Sequence, residues 1–357
     1  MNAGQLLTLR GPDRPRAGRA AGEPAIVYGG AVLIEGEWIT GVGRYRDLRS
    51  AARGARVVDA EGRVVAPGFV DSHTHPVFLE PRLTDFASRL RGRTYAQIAA
   101  AGGGILTTVR GVRRATLEEL VVDLHRKAHR FLSCGTTTIE AKSGYGLDFD
   151  TELKMLRVLH TVGAAGPLDI VHTLLGAHAV PPEAKSSSQY AAFVADELVP
   201  EAARGGLAVF VDAFCESGFF SSRECERILQ SALRNGLRVK LHAEQLTRCG
   251  GSALAARLGA VSADHLDQAG PSEIAALGKA GVIAGLVPGS NYFLGKPYPP
   301  ARALLAAGVP VALATDFNPG TCPAWNMQQI LSIACTQLRM TPEEAWVAAT
   351  INGAYAS

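Results

Sequence analysis

Residues 68–78 read GFVDSHTHPVF, and they decide how the rest of the chain is read. The stretch begins as an apolar strand and ends in His73 and His75, one residue apart. In a strand, residues i and i+2 point to the same side. Both imidazoles therefore project together from the strand end, close enough to grip one cation. A lone pair of this kind is also met as hydrogen-bonded surface histidines, so its meaning depends on what else the fold brings beside it.

Seven further apolar runs repeat the plan: TTTIEAKSGYG, DIVHTLLGAHA, AVFVDAFCES, RVKLHAEQ, AVSADHLD, GVIAGLVPGS and VPVALATDFNPG. Helix-like stretches separate most of them, among them residues 116–132, 151–162 and 222–235. Strands alternating with helices predict a parallel sheet, and eight such units predict an α/β fold, a (β/α)8 TIM-like barrel over residues 64–357. Residues 1–63 carry short strand patterns broken by Gly and Pro, as in AIVYGGAVLIEGEWITGVG, and predict a small, incomplete β unit. In such barrels the C-terminal strand ends and the loops after them build the active site. Here each run is apolar first and polar last, and nearly all end on groups that carry chemistry. His73, His75, Lys142, His178, Cys215, Glu216, His242, Asp264, His265 and Asp316 would thus meet in one mouth. His73, His75, His242 and Asp316 supply three imidazoles and a carboxylate, a set that binds one metal ion and leaves room for water.

Bulk properties exclude several function classes. The 357 residues are 47% hydrophobic and 19% charged, which suits a large core and excludes a disordered chain. Net charge is +3, so the chain has no electrostatic footprint for nucleic acid or an anionic membrane. No apolar run reaches membrane-spanning length. The six cysteines include no CxxC pair and read as reduced thiols, which implies a cytoplasmic protein. The Arg-rich start lacks a secretory signal, and QLLTLRG within it reads as a strand entering a turn. Three glycines at 102–104 fit neither GxGxxG nor a P-loop and read as a tight turn or hinge.

The strand-end pattern, with PGFVDSHTH first, resembles the amidohydrolase superfamily. RLTDFASRLRGRTYAQIAAAGGGILTTVR, TTTIEAKSGYGLD, LLGAHAVPPE, VDAFCE, LHAEQL, SADHLD and LATDFNPG narrow the resemblance to the imidazolonepropionase family, from about residue 30 to the end. That family hydrolyses 4-imidazolone-5-propanoate to N-formimidoyl-L-glutamate. The resemblance implies one metal ion, zinc or iron, on His73, His75, His242 and Asp316. It implies a small-molecule substrate with a carboxylate tail, and a homodimer. Binuclear relatives use a carboxylated lysine on the fourth strand; Cys215 and Glu216 stand there, which favours one metal. Lys142, on the second strand, reads as a salt bridge or a loop anchor. A metal of this kind would acidify a water, with Asp316 or His265 as proton partner, His265 also polarising the carbonyl.

Matching motif by motif, Arg82 becomes the clamp for the carboxylate tail, because its planar fork suits that group. Tyr145, His178, Gln245, Asn318, Gly320 and Thr321 become further substrate contacts. Some family members carry Glu where Gln245 stands, and a carboxamide cannot take up a proton at neutral pH. Glu244 beside it faces the other way in a strand and is the weaker candidate base. The chain ends at TINGAYAS, whereas the family continues into strands that complete the small β unit. Two other readings share these residues: a heterocyclic-base deaminase, which needs no carboxylate clamp, and a non-catalytic binding protein on a silenced barrel.

Overall fold

A computed structural model describes residues 1–357, the side chains of Tyr95, Ala96 and Ala99 excepted. Two sheets organise it. The smaller runs β3-β2-β1-β4, from β1 (Ala3–Leu7), β2 (Ile26–Glu35), β3 (Trp38–Arg44) and β4 (Val64–Val65). β2 and β3 form the hairpin expected from AIVYGGAVLIEGEWITGVG, and Gly36 at φ +63° makes its turn. β4 pairs parallel to β1, so the chain leaves this sheet only between Val65 and Phe69.

The second sheet holds eight parallel strands in sequence order. They are β5 (Phe69–Thr74), β6 (Thr136–Lys142), β7 (Asp169–Ala177), β8 (Phe210–Cys215), β9 (Arg238–Ala243), β10 (Ser262–His265), β11 (Ile283–Leu286) and β12 (Val311–Leu313). Each falls inside one of the eight runs read from the sequence. The first and last strands close on each other through side chains as well as backbone. Asp71 accepts from the Thr315 backbone N at 2.9 Å and from its hydroxyl at 2.6 Å. Asp316 N donates to the His73 carbonyl at 3.0 Å, and His75 N to the Phe317 carbonyl at 2.8 Å. The fold is therefore a (β/α)8 barrel with a small extra sheet.

The helices outside start where their caps say they should. Thr116 and Ser221 each accept from the backbone N three residues on, while Glu119 and Glu224 reach back to complete the box. Each such cap contributes about 1 kcal/mol. The helix Leu117–Ser133 also anchors the site. Lys127 Nζ donates to the Pro76 carbonyl at 2.9 Å and to the Phe78 carbonyl, and lies 2.5 Å from Asp123. The segment that leaves His75 is thus tied to a helix.

Burial lowers the Lys127 pKa to about 8, against the opposing pull of Asp123. Between pH 8 and roughly 10.4 the unfolded chain holds a proton that the folded chain has lost, so this group's contribution to stability rises with pH there. Urea unfolding of the wild type and Lys127→Met should show the gap widening in favour of the wild type from pH 8 to pH 10. A gap that is flat or narrows contradicts the burial argument.

Candidate functional site

At the C-terminal mouth of the barrel, His73, His75, His242, His265 and Asp316 converge, each no more than 3% exposed. His73 Nε2 and His75 Nε2 stand 3.3 Å apart. Asp316 Oδ1 lies 3.5 Å from His75 Nε2 and 3.8 Å from His73 Nε2. The donor atoms of His73, His75 and His242 all fall within 4.8 Å of one another, as do those of His73, His265 and Asp316. Ligands about 2.1 Å from a tetrahedral ion are about 3.4 Å apart, which the separations among His73, His75 and Asp316 approach.

The protonation pattern fits a metal as well. His73 Nδ1 contacts Asp264 Oδ2 at 2.7 Å, and His242 Nδ1 contacts Asp212 Oδ2 at 2.9 Å. Burial holds the His73 and His75 pKa values well below the ordinary imidazole range. A neutral His73 that gives its Nδ1 hydrogen to Asp264 keeps a lone pair on Nε2, the form a metal needs. Both His242 ring nitrogens are buried without an aligned hydrogen bond among the described residues, the Asp212 approach being a close charge contact. Burial also pushes the Asp316 carboxyl up to about 7, a bias that a cation beside it would reverse. His73, His75 and His242 form one cluster that could hold a metal ion, and Asp316 joins His73 and His265 in a second that shares His73.

Two of these side chains reach the mouth by an unusual backbone turn. His265 sits at φ +75° and Asp316 at φ +54°. Non-glycine residues in this region cost roughly 1–3 kcal/mol each, and such strain gathers at functional positions. The turn explains how Asp264 and His265, neighbours on β10, both face inward. Glu244, at φ +47°, is turned away to the start of the helix Gly251–Leu258. Its carboxylate accepts from the backbone N of Gly250, Gly251 and Ser252, which leaves it no part in the mouth.

The mouth opens into a cavity of about 500 Å³. Arg82, Tyr145, His178, Gln245 and Thr321 line it together with His75, His242, His265 and Asp316. His178 stacks on His75 with ring centroids 5.0 Å apart, and its Nδ1 meets the Gly144 carbonyl at 3.1 Å. Burial lowers the His178 pKa to about 3, so it is neutral, with Nε2 left to accept. Arg82 precedes the helix Leu83–Leu90, and its Nε is buried without a hydrogen-bond partner among the described residues. Glu216 accepts from Leu246 N at 2.7 Å and from the Thr247 hydroxyl, which fixes the loop carrying Gln245.

Asn318 also lines the cavity, but its amide is committed to its own turn. Oδ1 accepts from Gly320 N at 2.8 Å and Thr321 N at 2.7 Å; Nδ2 donates to the Asp316 carbonyl and the Thr321 hydroxyl, both at 2.7 Å. Its four hydrogen-bonding positions are filled, so the geometry gives it a bracing role. Gly320 packs against the Arg82 guanidinium and is not among the cavity-lining residues. Sequence reading missed Asp212 as the partner of His242, and Arg89, Phe214 and Phe219 as cavity lining. The signal for Asp212 was a lone acid inside the apolar run FVDAFC. The others carried none. The 102–104 glycines close a turn in which Gly104 N donates to Asp85 at 2.9 Å, as the sequence implied.

No family model matches the chain. It is 48% identical over 358 residues to the imidazolonepropionase of Anaeromyxobacter dehalogenans, spanning 98% of this chain and 84% of that protein. It is 43% identical over 360 residues to the imidazolonepropionase of Shouchella clausii, spanning 99% and 80%. Its fold is shared with guanine deaminase from C. acetobutylicum, with a TM-score of 0.67, 14% identity, and 93% and 82% of the two chains covered. It is shared too with an amidohydrolase from a Sargasso sea environmental sample, at a TM-score of 0.62 and 19% identity, covering 99% and 78%.

Proposed function

The chain belongs to the imidazolonepropionase family, and from that premise we propose that it opens the ring of 4-imidazolone-5-propanoate with the residues of this mouth. The reaction adds water across a ring C–N bond and yields N-formimidoyl-L-glutamate. The observation that carries the assignment of residues is the pairing of two features in one cavity. A cluster suited to a metal ion and an Arg82 Nε with no hydrogen-bond partner among the described residues line the same cavity.

When bound, the metal ion supplies Lewis acidity that makes a water nucleophilic near neutral pH. His73, His75, His242 and Asp316 would hold it, and three imidazoles with one carboxylate suit zinc first and iron second. Asp316 takes the proton of the attacking water on its carboxylate and returns it to the ring nitrogen as the C–N bond breaks. His265, neutral because burial lowers its pKa, donates its N–H to the carbonyl oxygen as charge builds there. Arg82 binds the propionate through its guanidinium fork. His178 accepts a ring N–H at Nε2. Tyr145 and Gln245 fix the ring plane, and Thr321 offers its hydroxyl. Asn318 keeps the loop after Asp316 rigid. A homodimer is what the family resemblance implies for this chain; sedimentation at the mass of two chains would support it and at that of one would contradict it.

Zinc-loaded protein should consume imidazolonepropionate, followed by loss of its ultraviolet absorbance, and should release no ammonia from guanine or cytosine. Ammonia release from a base with no turnover of imidazolonepropionate contradicts the reading.

A further inference from the structure

Beneath the imidazoles the barrel interior is charged, where such barrels are usually filled by branched apolar side chains. Glu140, Lys142, Asp212, Lys240 and Asp264 are all 0–1% exposed. Lys142 Nζ lies 2.8 Å from Glu140 Oε1 and 2.9 Å from Asp212 Oδ2. That same Asp212 oxygen lies 2.9 Å from His242 Nδ1, a close charge contact rather than an aligned hydrogen bond. The other, Oδ1, accepts from Ala213 N at 2.7 Å and His242 N at 3.1 Å. Lys240 is placed differently. It donates to the Ser72 and Ala356 carbonyls at 2.8 and 2.9 Å, and stays 3.9 Å from Asp264.

No proton-transfer step above uses Lys142, yet an ammonium buried this deeply persists only where it is paired. We propose that Lys142 is a positioning residue for the metal centre, acting through Asp212 on His242. Its ammonium fixes the Asp212 carboxylate; Asp212 fixes the ring plane and the Nδ1–H tautomer of His242; Nε2 is thereby aimed at the ion. Without the ammonium, Asp212 Oδ2 loses its fixed cationic partner and is free to turn from the imidazole. Partners of this kind, behind a metal-binding histidine, are worth about 10- to 100-fold in metal affinity. The inference rests on His242 being a ligand.

Zinc affinity by chelator competition tests it, together with the visible spectrum of the cobalt(II) form. The variants are Lys142→Met, Asp212→Asn and the double variant. Lys142→Met, folded by circular dichroism, should bind zinc about 10- to 100-fold more weakly and shift the cobalt bands. Asp212→Asn should show a similar loss, and the double variant should be no weaker than Asp212→Asn alone. A folded Lys142→Met with wild-type affinity overturns the inference, as does a double variant whose losses multiply. Should Lys142→Met fail to fold, Lys142→Gln takes its place with the same two outcomes. Wild-type protein that binds no zinc overturns the ligand assignment and this inference together. Tight wild-type binding with an unaffected Lys142→Met overturns the inference alone.

Discussion

Asp316→Asn is expected to lower kcat/KM by about 10³-fold or more while leaving the fold intact. General-base help alone is worth about 10²- to 10⁴-fold, and the same substitution removes an anionic ligand. Asn is close in shape, and it tolerates the left-handed backbone better than most residues, so φ +54° can be kept. What it cannot do is carry charge to the ion or take up a proton. Steady-state kinetics on zinc-loaded protein checks this. Activity within tenfold of the wild type would move the proton transfer to His265.

Gly320→Ala should cost about 10- to 100-fold in kcat/KM, expressed mainly as a raised KM. A Cβ built on Gly320 would lie 1.7 Å from Arg82 Nη2 and 2.1 Å from its Cζ. Contacts that short cannot be relaxed in place, so the guanidinium must leave its seat. Hydrogen bonds to charged groups are worth about 1.5–3 kcal/mol, and roughly 1.4 kcal/mol is a factor of ten. The loss falls on binding because the propionate does not react. Arg82→Met should show a similar loss, and combining the two should add little, since both remove one contact. An alanine variant with an unchanged KM would mean that Arg82 does not hold the tail.

The contrast between these two positions shows what a sequence reveals. Asp316 was legible because it ends an apolar run, and in this architecture a strand end has a known destination. The same logic found His73, His75, His242 and His265, and all eight strands. The seat of Arg82 against Gly320 joins residues far apart in the chain, and no local pattern encodes the approach. Barrel closure by Asp71 and Thr315 was hidden for the same reason. So was Asp212 behind His242, which reads only as an acid inside a strand, while Asp264 is legible as a strand-end group but not as the partner of His73. Asn318 was read as a group offered to ligand. Asn beside Pro and Gly also signals a turn that satisfies itself, and tertiary context makes that choice.

Everything in the mechanism depends on one ion sitting where four side chains meet. The most direct measurement is an anomalous difference map from crystals of the zinc-loaded protein, collected at the zinc edge. One strong peak should appear per chain, within bonding distance of His73 Nε2, His75 Nε2, a His242 ring nitrogen and the Asp316 carboxylate. A peak elsewhere, or no peak in protein that turns over substrate, would contradict the account.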